Sequence, residues 1–252
     1  MSLFQTIPVV MPPQWGLATG VVGDGNQAFG RSVGYVAAAS TGNTNVRAST
    51  YVPQTSAAQR SLVSSSTLDA AAGAGAQTIT IYYLNNSMVA KTDTVTLNGT
   101  TAVNTNQTDI QFIEKMVVAT CGTDLINEGN ITMMSGLAGA GSAMASINAL
   151  DGSTFYAHHY VPAGVTCYIS KNTGSGILAV GRSFLTQAGD PRTTSPKLQL
   201  GDIVVHLAGA TEDHEYDCPL VVPGPNYILA VENPVTAVAN NVAYASFDWI
   251  QD

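Results

Sequence analysis

The chain contains four histidines, whose side chains could act in catalysis or bind a metal ion. His158 and His159 are adjacent in the run TFYAHHYVP, which is typical of a β-strand. Because neighbouring residues of a strand point to opposite faces, the two rings cannot chelate one metal ion, and one ring is expected to face inward and the other outward. His206 lies in the apolar run DIVVHLAG, where a buried imidazole with its own hydrogen-bond partner is expected. These three histidines are therefore interpreted as structural.

The fourth histidine lies in the densest cluster of charged residues, the run TEDHEYD. Oxygen ligands at alternate positions could bind Ca²⁺, but the spacing matches no EF-hand loop. The simpler interpretation is a solvated acidic loop before the strand-like run CPLVVPG, and whether the loop binds a cation stays open. Its charged members are Glu212, Asp213, His214, Glu215 and Asp217.

Motifs for catalysis and for cofactor binding are weak in this sequence. The run GVVGDGNQAFG, with Asp24 and Asn26, lacks the Lys-Ser/Thr pair of a phosphate-binding loop, and no GxSxG nucleophile motif is present. The sequence therefore predicts no enzyme, no cofactor and no metal. One enzymatic alternative stays open, a cleft that holds two carboxylates with raised pKa. The candidates for such a pair are Asp109, Glu114, Asp124, Asp151, Asp202 and Glu232.

The cysteines indicate a reducing compartment. Cys121, Cys167 and Cys218 form no CxxC pair, and an odd count argues against a disulfide framework. All three thiols are predicted to be reduced and free of metal. The first sixteen residues contain no basic region and several prolines, so they do not resemble a secretory signal, and synthesis in a host cytoplasm is expected.

The composition excludes several classes of partner. The chain has 252 residues, of which 45% are hydrophobic and only 10% are charged, whereas about a quarter is usual for charged residues. Its surface must therefore consist largely of Ser, Thr, Asn, Gln, Ala and Gly. The net charge of −8 argues against binding to nucleic acid and to anionic membranes, both of which require basic surfaces.

The elements that must position these residues are strands. From Gln77 onwards, alternating runs such as TITIYYL and TDTVTL recur roughly every 12 to 20 residues, separated by Gly, Pro, Asn and Asp. This pattern predicts an all-β domain over residues 76–252, an antiparallel, jelly-roll-like β-sandwich, with a hairpin turn at residues 85–87. The predicted core and facing interfaces comprise Val95, Leu97, Phe112, Ile113, Val117, Tyr160, Tyr168, Leu178, Val180, Ile203, Val205, Ile228, Leu229, Val231 and Trp249, with one member of each adjacent pair pointing inward.

Residues 1–75 are predicted to form an extended N-terminal arm followed by short strands, with a helical turn or two in SAAQRSLV. The first sixteen residues combine large apolar side chains with Pro8, Pro12 and Pro13, which prevent a regular helix. This arm is predicted to bind a neighbouring subunit. The residues expected to make that contact are Leu3, Phe4, Ile7, Val9, Val10, Met11 and Trp15.

Three runs of the chain resemble virion structural proteins of tailed bacteriophages. They are VGYVAAASTGNTNVRASTYVPQTSAAQRSLVSSS, TDTVTLNGTTAVNTNQTDIQFIEKMVV and FYAHHYVPAGVTCYI, and the likeness extends from about Val33 to Trp249. The resemblance implies an all-β module that self-associates and binds capsid or tail proteins. No catalytic residue is implied by it.

Two virion roles follow from this resemblance. The first is a capsid decoration, or cement, protein, which would bind the major capsid protein on the outer surface of the head as a homotrimer and bridge capsomers. An acidic subunit suits a position that faces away from packaged DNA. The second is a tail, adaptor or fibre component involved in attachment, although the sequence lacks the long repeats of fibres.

Overall fold

The fold is built from antiparallel β-strands. The computed structural model describes residues 28–37, 41–192 and 198–251, and these residues contain no helix, hence none that could span a membrane. The strands are β1 (Ala28–Ala37), β2 (Thr44–Asn45), β3 (Ser61–Ser64), β4 (Ala76–Leu84), β5 (Ala90–Thr96), β6 (Val103–Asn104), β7 (Phe112–Cys121), β8 (Ile131–Met134), β9 (Ala143–Ile147), β10 (His158–Val161), β11 (Thr166–Gly176), β12 (Gly181–Gln187), β13 (Leu198–His206), β14 (Thr211–Pro223), β15 (Asn226–Pro234) and β16 (Val242–Gln251).

Strand β1 and strands β10 to β16 form a two-sheet sandwich. One sheet has the order β1-β16-β11-β14, and the other has the order β10-β15-β12-β13, with the short β2 also paired to β15. Successive strands of the chain alternate between the two sheets for most of this path, which is the eight-stranded jelly-roll arrangement. The prediction of an all-β, antiparallel, jelly-roll-like sandwich is confirmed.

A second β unit is inserted into the jelly roll between β1 and β10. It comprises strands β3 to β9 (residues 61–147), in the sheets β6-β3-β8-β9 and β5-β4-β7, and is called the inserted unit below. The sequence predicts a domain boundary between residues 75 and 76. Strands β1 and β3 lie before it and pair with β16 and β8, which lie after it. That boundary stays a prediction.

The hairpin of β4 and β5 forms where the sequence predicts it. The Asn85 side chain accepts hydrogen bonds from the backbone N–H groups of Ser87 (3.0 Å) and Val89 (3.1 Å), and Met88 adopts a φ of 58°. An Asn that binds the backbone two residues ahead stabilises a tight turn locally. Strand β7 likewise coincides with the predicted run FIEKMVVATC.

Strand β15 is buried on both faces because it separates two hydrophobic cores. Ile228 and Ala230 point into the interior of the sandwich. Tyr227, Leu229 and Val231 point the other way, into a core shared with the inserted unit. This double burial explains why the run YILAV is apolar at every position. It also corrects the expectation that only one of Ile228 and Leu229 is buried.

The predicted core is wrong at three positions. Leu178 lies in the connection between β11 and β12, and Ile203 and Val205 lie on the outer face of the edge strand β13. All three side chains are exposed. Ile203 and Val205 are exposed because the inserted unit covers the sheet at β15 and not at β13. The buried members of the predicted set are Val95, Leu97, Phe112, Ile113, Tyr160, Ile228, Leu229 and Val231, while Val117, Tyr168, Val180 and Trp249 are half-buried.

Two local predictions are also wrong. The run SAAQRSLV forms no helical turn, and its end belongs to β3, where Leu62 is buried. The run TEDHEYD is not a loop but the first half of the long edge strand β14. Its charged residues are accommodated in a strand because β14 lies at the edge of its sheet, where most of its side chains face solvent.

Candidate functional site

A groove runs between the jelly roll and the inserted unit. Strands β1 and β16 line one wall, strands β4, β5 and β7 line the other, and β10 forms the floor. Its volume is ≈ 650 Å³, which lies within the range of small-molecule and cofactor sites. This feature is called the inter-unit groove below.

The floor of the inter-unit groove contains a hydrogen-bonded pair, Glu114 and His159. The imidazole Nδ1 lies 2.8 Å from Glu114 Oε1, and the backbone N–H of Tyr160 donates to Oε2 at 2.8 Å. Burial by itself would raise the pKa of Glu114, but the attraction and hydrogen bond of His159 outweigh it, so the pKa lies below its ordinary value. Because His159 Nε2 also contacts Gln251 Oε1 (3.1 Å), the pair joins β7, β10 and β16.

Trp249 forms the jelly-roll side of the groove. Its ring stacks on His159 at 3.9 Å between centroids, and its Nε1–H donates to Ser32 Oγ at 3.2 Å. Gly30, opposite on β1, leaves room for the indole, since a Cβ there would lie 2.6 Å from the ring. The indole is therefore held in place by residues of two neighbouring strands, β1 and β10.

The cationic side chains of the groove are mostly neutralised locally. Arg31 forms a two-point ion pair with Asp248, and Lys91 Nζ lies 2.6 Å from Asp109 Oδ2. The Lys115 ammonium lies 4.7 Å from the centre of the Tyr82 ring, a cation–π contact at the rim. The groove is consequently aromatic, with little unpaired charge.

Beneath the floor, His158 is enclosed by four tyrosines. Its Nε2–H donates to the carbonyls of Ile113 (3.1 Å) and Glu114 (2.9 Å), and Tyr227 donates to Nδ1 at 3.1 Å. Burial first, and then the charge of Arg47, lowers the pKa of His158 to about 3. The ring contacts Tyr51, Tyr156, Tyr160 and Tyr227. His158 and His159 point to opposite faces as predicted, but the expectation that one faces outward is wrong, because both are buried.

Arg47 completes this aromatic cluster. Its guanidinium lies 4.4 Å from the centre of the Tyr51 ring and donates to the hydroxyl of Tyr227. Burial lowers the pKa of Arg47, and the nearby tyrosines oppose that shift only in part. Arg47 therefore packs against the aromatic rings that join the jelly roll to the inserted unit.

A second buried pair, His206 and Glu232, lies inside the sandwich. His206 Nε2 is 2.8 Å from Glu232 Oε1, and both side chains are fully buried. Gly181 is required beside them, because a Cβ there would lie 1.9 Å from Glu232 Oε1. His206 Nδ1 and Glu232 Oε2 have no hydrogen-bond partner within the described residues, so the expected pairing of this imidazole holds for one nitrogen only.

The acidic strand β14 forms ion pairs on its surface. Lys171 Nζ lies 2.7 Å from Asp213 Oδ2, and His214 Nε2 lies 3.2 Å from Asp202 Oδ2. Within the described ranges, no three His, Cys, Asp or Glu side chains are grouped so as to hold a metal ion. The strand is thus an exposed, hydrogen-bonded edge with a negative surface.

The six candidate carboxylates are not brought together in the groove. Of the six, Glu114 alone lines it, while Glu232 lies inside the sandwich and Asp151 accepts a hydrogen bond from the Tyr35 hydroxyl at 2.7 Å. The pKa values of Glu114 and Asp109 are lowered rather than raised. The two-carboxylate arrangement of glycosidases is therefore not formed by these six residues in the groove.

The predicted partner-binding residues lie outside the described part of the chain, as do Asp24 and Asn26. They are Leu3, Phe4, Ile7, Val9, Val10, Met11 and Trp15. The groove itself was missed by sequence reasoning, because its walls come from strands far apart in the chain. The one available signal was the concentration of aromatic and histidine residues in TFYAHHY, which supplies most of the floor.

Comparison with known proteins gives little resemblance. No protein-family model and no curated protein matches the sequence. Among solved structures, infectious bursal disease virus of the Gx strain is similar at 10% identity and a TM-score of 0.27, covering 89% of this chain and 71% of that one. The Gt strain gives 10% identity and a TM-score of 0.25 over 96% and 77%. The VP2 subviral particle of the same virus gives 9% and 0.24 over 89% and 71%. TM-scores this low carry no argument about function.

Proposed function

We propose that this protein is a non-enzymatic structural component of a tailed-phage virion, and specifically a decoration protein that binds the outer surface of the head. Jelly rolls serve as viral capsid proteins, but also as lectins and cupins, so the fold alone does not choose among them. The sequence resemblance to phage structural proteins favours the first.

The observation that carries this proposal is the exposed apolar surface of the edge strand β13. Ile203, Val205 and Leu207 are 42%, 58% and 63% exposed, and Ile177 and Leu178 are also exposed. Gly176 forms a bridge with Ala208, which places the connection after β11 close to Leu207. Exposed apolar surface along a sheet edge is typical of a protein that is covered by a partner.

The proposed partners are the major capsid protein or neighbouring virion proteins, together with further copies of this chain as a homotrimer. Low charge supports repeated protein–protein contact, because few charged groups must be desolvated on association. The acidic strand β14 would face away from packaged DNA. The arm, residues 1–16, would bind an adjacent subunit.

Copy number per virion tests the proposed location. Hundreds of copies are expected for a decoration protein of the head lattice, measured by quantitative mass spectrometry of purified particles. A dozen or fewer copies would contradict it and would favour the tail or adaptor role.

The contact surface has its own test. We expect Val205→Asp to reduce incorporation into particles, because it places a charge on the proposed contact surface. Val89→Asp is the matched control, since Val89 is also half exposed (50%) but lies in the hairpin of the inserted unit. Equal incorporation of both variants would argue against β13 as the contact surface.

A further inference from the structure

The inter-unit groove opens beside the point where the described chain begins. Ala28, the first residue of β1, pairs with Gln251, and both Gln251 and Arg31 line the groove. Residues 1–27 precede this point. Residues 17–27 alone can span about 35 Å when extended, which is wide enough to carry residues 1–16 across a subunit boundary.

The walls of the groove have the chemistry that extended, proline-containing segments bind. Aromatic rings of Tyr82, Phe155 and Trp249 line it together with the apolar side chains of Val33 and Val117. Proline-rich segments bind aromatic-lined grooves because their extended conformation is already formed and little entropy is lost on binding. Residues 1–16 contain Pro8, Pro12 and Pro13 among large apolar residues.

The charges of the groove and of this segment also match. Residues 1–16, MSLFQTIPVVMPPQWG, contain no charged side chain. In the groove, Arg31 is neutralised by Asp248 and Lys91 by Asp109, while the Glu114 carboxylate makes hydrogen-bond contacts with His159 Nδ1 and the backbone N–H of Tyr160. A guest without charged side chains would therefore leave these contacts undisturbed, and Lys115 remains at the rim over Tyr82.

We infer that the inter-unit groove is the receptor for residues 1–16 of a second copy of this chain. The inference deepens the proposed function, since it rests on the arm acting between subunits. It assigns the arm a particular site between the jelly roll and the inserted unit. Exchange of such a segment between identical subunits is a common route to symmetric oligomers.

Photocrosslinking of the full-length chain tests this assignment. A Phe4→p-benzoylphenylalanine chain is prepared unlabelled and ¹⁵N-labelled, mixed in dissociated form, assembled and irradiated, and the crosslinked peptides are identified by mass spectrometry. We expect crosslinks from position 4 to groove peptides of β4, β5, β7 or β16, and about half of them should join a light chain to a heavy chain. That fraction follows from random pairing of two equal populations.

Two groove variants give the specificity control. Tyr82→Asp, which charges the wall, and Thr92→Trp, which fills it, should each lower the crosslink yield at least fivefold, roughly a 1 kcal/mol loss of binding. Tyr244→Asp is the matched control, because Tyr244 lies on β16 but does not line the groove, and it is 42% exposed while Tyr82 is 37% exposed. It should leave the yield unchanged.

Three results would overturn the inference. The first is that position 4 crosslinks to the groove only within one chain, and the second is that it crosslinks to another surface. The third is that neither groove variant lowers the crosslink yield although both keep the melting temperature of the parent. A copy number typical of the tail would contradict the decoration role and leave the crosslinking result intact, so the two failures are distinguishable.

Discussion

Buried charged side chains of the inserted unit are held mainly by backbone groups. The Asp69 carboxylate accepts hydrogen bonds from the backbone N–H groups of Ala76, Glu128 and Gly129 at 2.8 to 2.9 Å, and from the Ser64 hydroxyl at 2.6 Å. Arg60, immediately before the inserted unit, donates to the carbonyls of three separate connections. Such residues fix loops that have too few apolar side chains to pack by themselves.

Asp69→Asn is expected to lower the free energy of unfolding by about 3 kcal/mol, because the amide loses the charge and turns an N–H₂ group toward existing donors. Urea denaturation measures this change. Asp124→Asn is the control, since Asp124 is exposed, and it should alter stability by less than about 0.5 kcal/mol. Similar stabilities for the two variants would contradict the role of Asp69.

His158 should make stability depend on pH. Its folded-state pKa of about 3 lies below the ordinary value of 6.5. Between these two pH values the imidazole is protonated in the unfolded chain and neutral in the folded chain. Stability contributed by the neutral imidazole is therefore present above pH 6.5 and is lost as pH falls. Between pH 7 and pH 5, wild type should lose about 2 kcal/mol more than His158→Gln. Parallel pH profiles in denaturation experiments would refute this.

The three cysteines should react at different rates with a thiol reagent. Cys218 is exposed, Cys121 is half-buried, and burial raises the pKa of Cys167 to about 12. At pH 8, one thiol per chain should react rapidly, a second slowly, and the third only after unfolding. Without reductant, the denatured chain should give three thiols, and a value of one would reveal a disulfide.

At the scale of the elements, β15 is the strand on which both units depend. Ile228→Ala opens a cavity in the sandwich, and Leu229→Ala opens one in the core shared with the inserted unit. Each should lower the free energy of unfolding by about 2 to 5 kcal/mol. Val205→Ala, on the exposed face of β13, should change it by less than about 0.5 kcal/mol. If Leu229→Ala left the free energy of unfolding unchanged, the inserted unit would not cover this face of β15.

Strand existence was predictable from the sequence wherever alternation and turn residues coincided. The β4–β5 hairpin is the best example, because Asn85 supplies the turn and the threonines alternate with buried residues. Exposure was less predictable: Ile203 and Val205 have the pattern of core residues but lie on a face that no other element covers. The double burial of β15 could be seen only once the inserted unit was in place.

The groove could not be predicted from the sequence because it depends on tertiary arrangement. Glu114, His159 and Trp249 belong to three strands, and their contact requires that the inserted unit packs on strand β10 of the jelly roll. The rule that adjacent strand residues face opposite ways did place His158 and His159 on different faces. It could not show that both faces would be covered.

At the scale of the whole molecule, the arm should matter for assembly and not for folding. Deleting residues 1–16 is expected to preserve the far-ultraviolet circular dichroism and the melting temperature, because residues beyond the arm form both hydrophobic cores. The same deletion should reduce incorporation into particles or weaken the oligomer. Unchanged occupancy of the truncated chain would show that the arm does not strap neighbouring subunits.

The pairing of β1 with β16 also determines the order in which the strands can pair while the chain is being synthesised. The strands that pair with one another in the two sheets of the inserted unit all lie within residues 61–147, whereas β1, among the described strands, pairs only with β16, Val242–Gln251. At ribosomal rates of 5 to 20 residues per second, the wait of β1 for β16 lasts roughly 10 to 40 s. During it, the inserted unit can complete its sheets while β1 keeps an unpaired edge and an exposed Phe29. Ribosomes that stop short of Val242 would therefore release chains with a finished inserted unit and an open, aggregation-prone jelly roll.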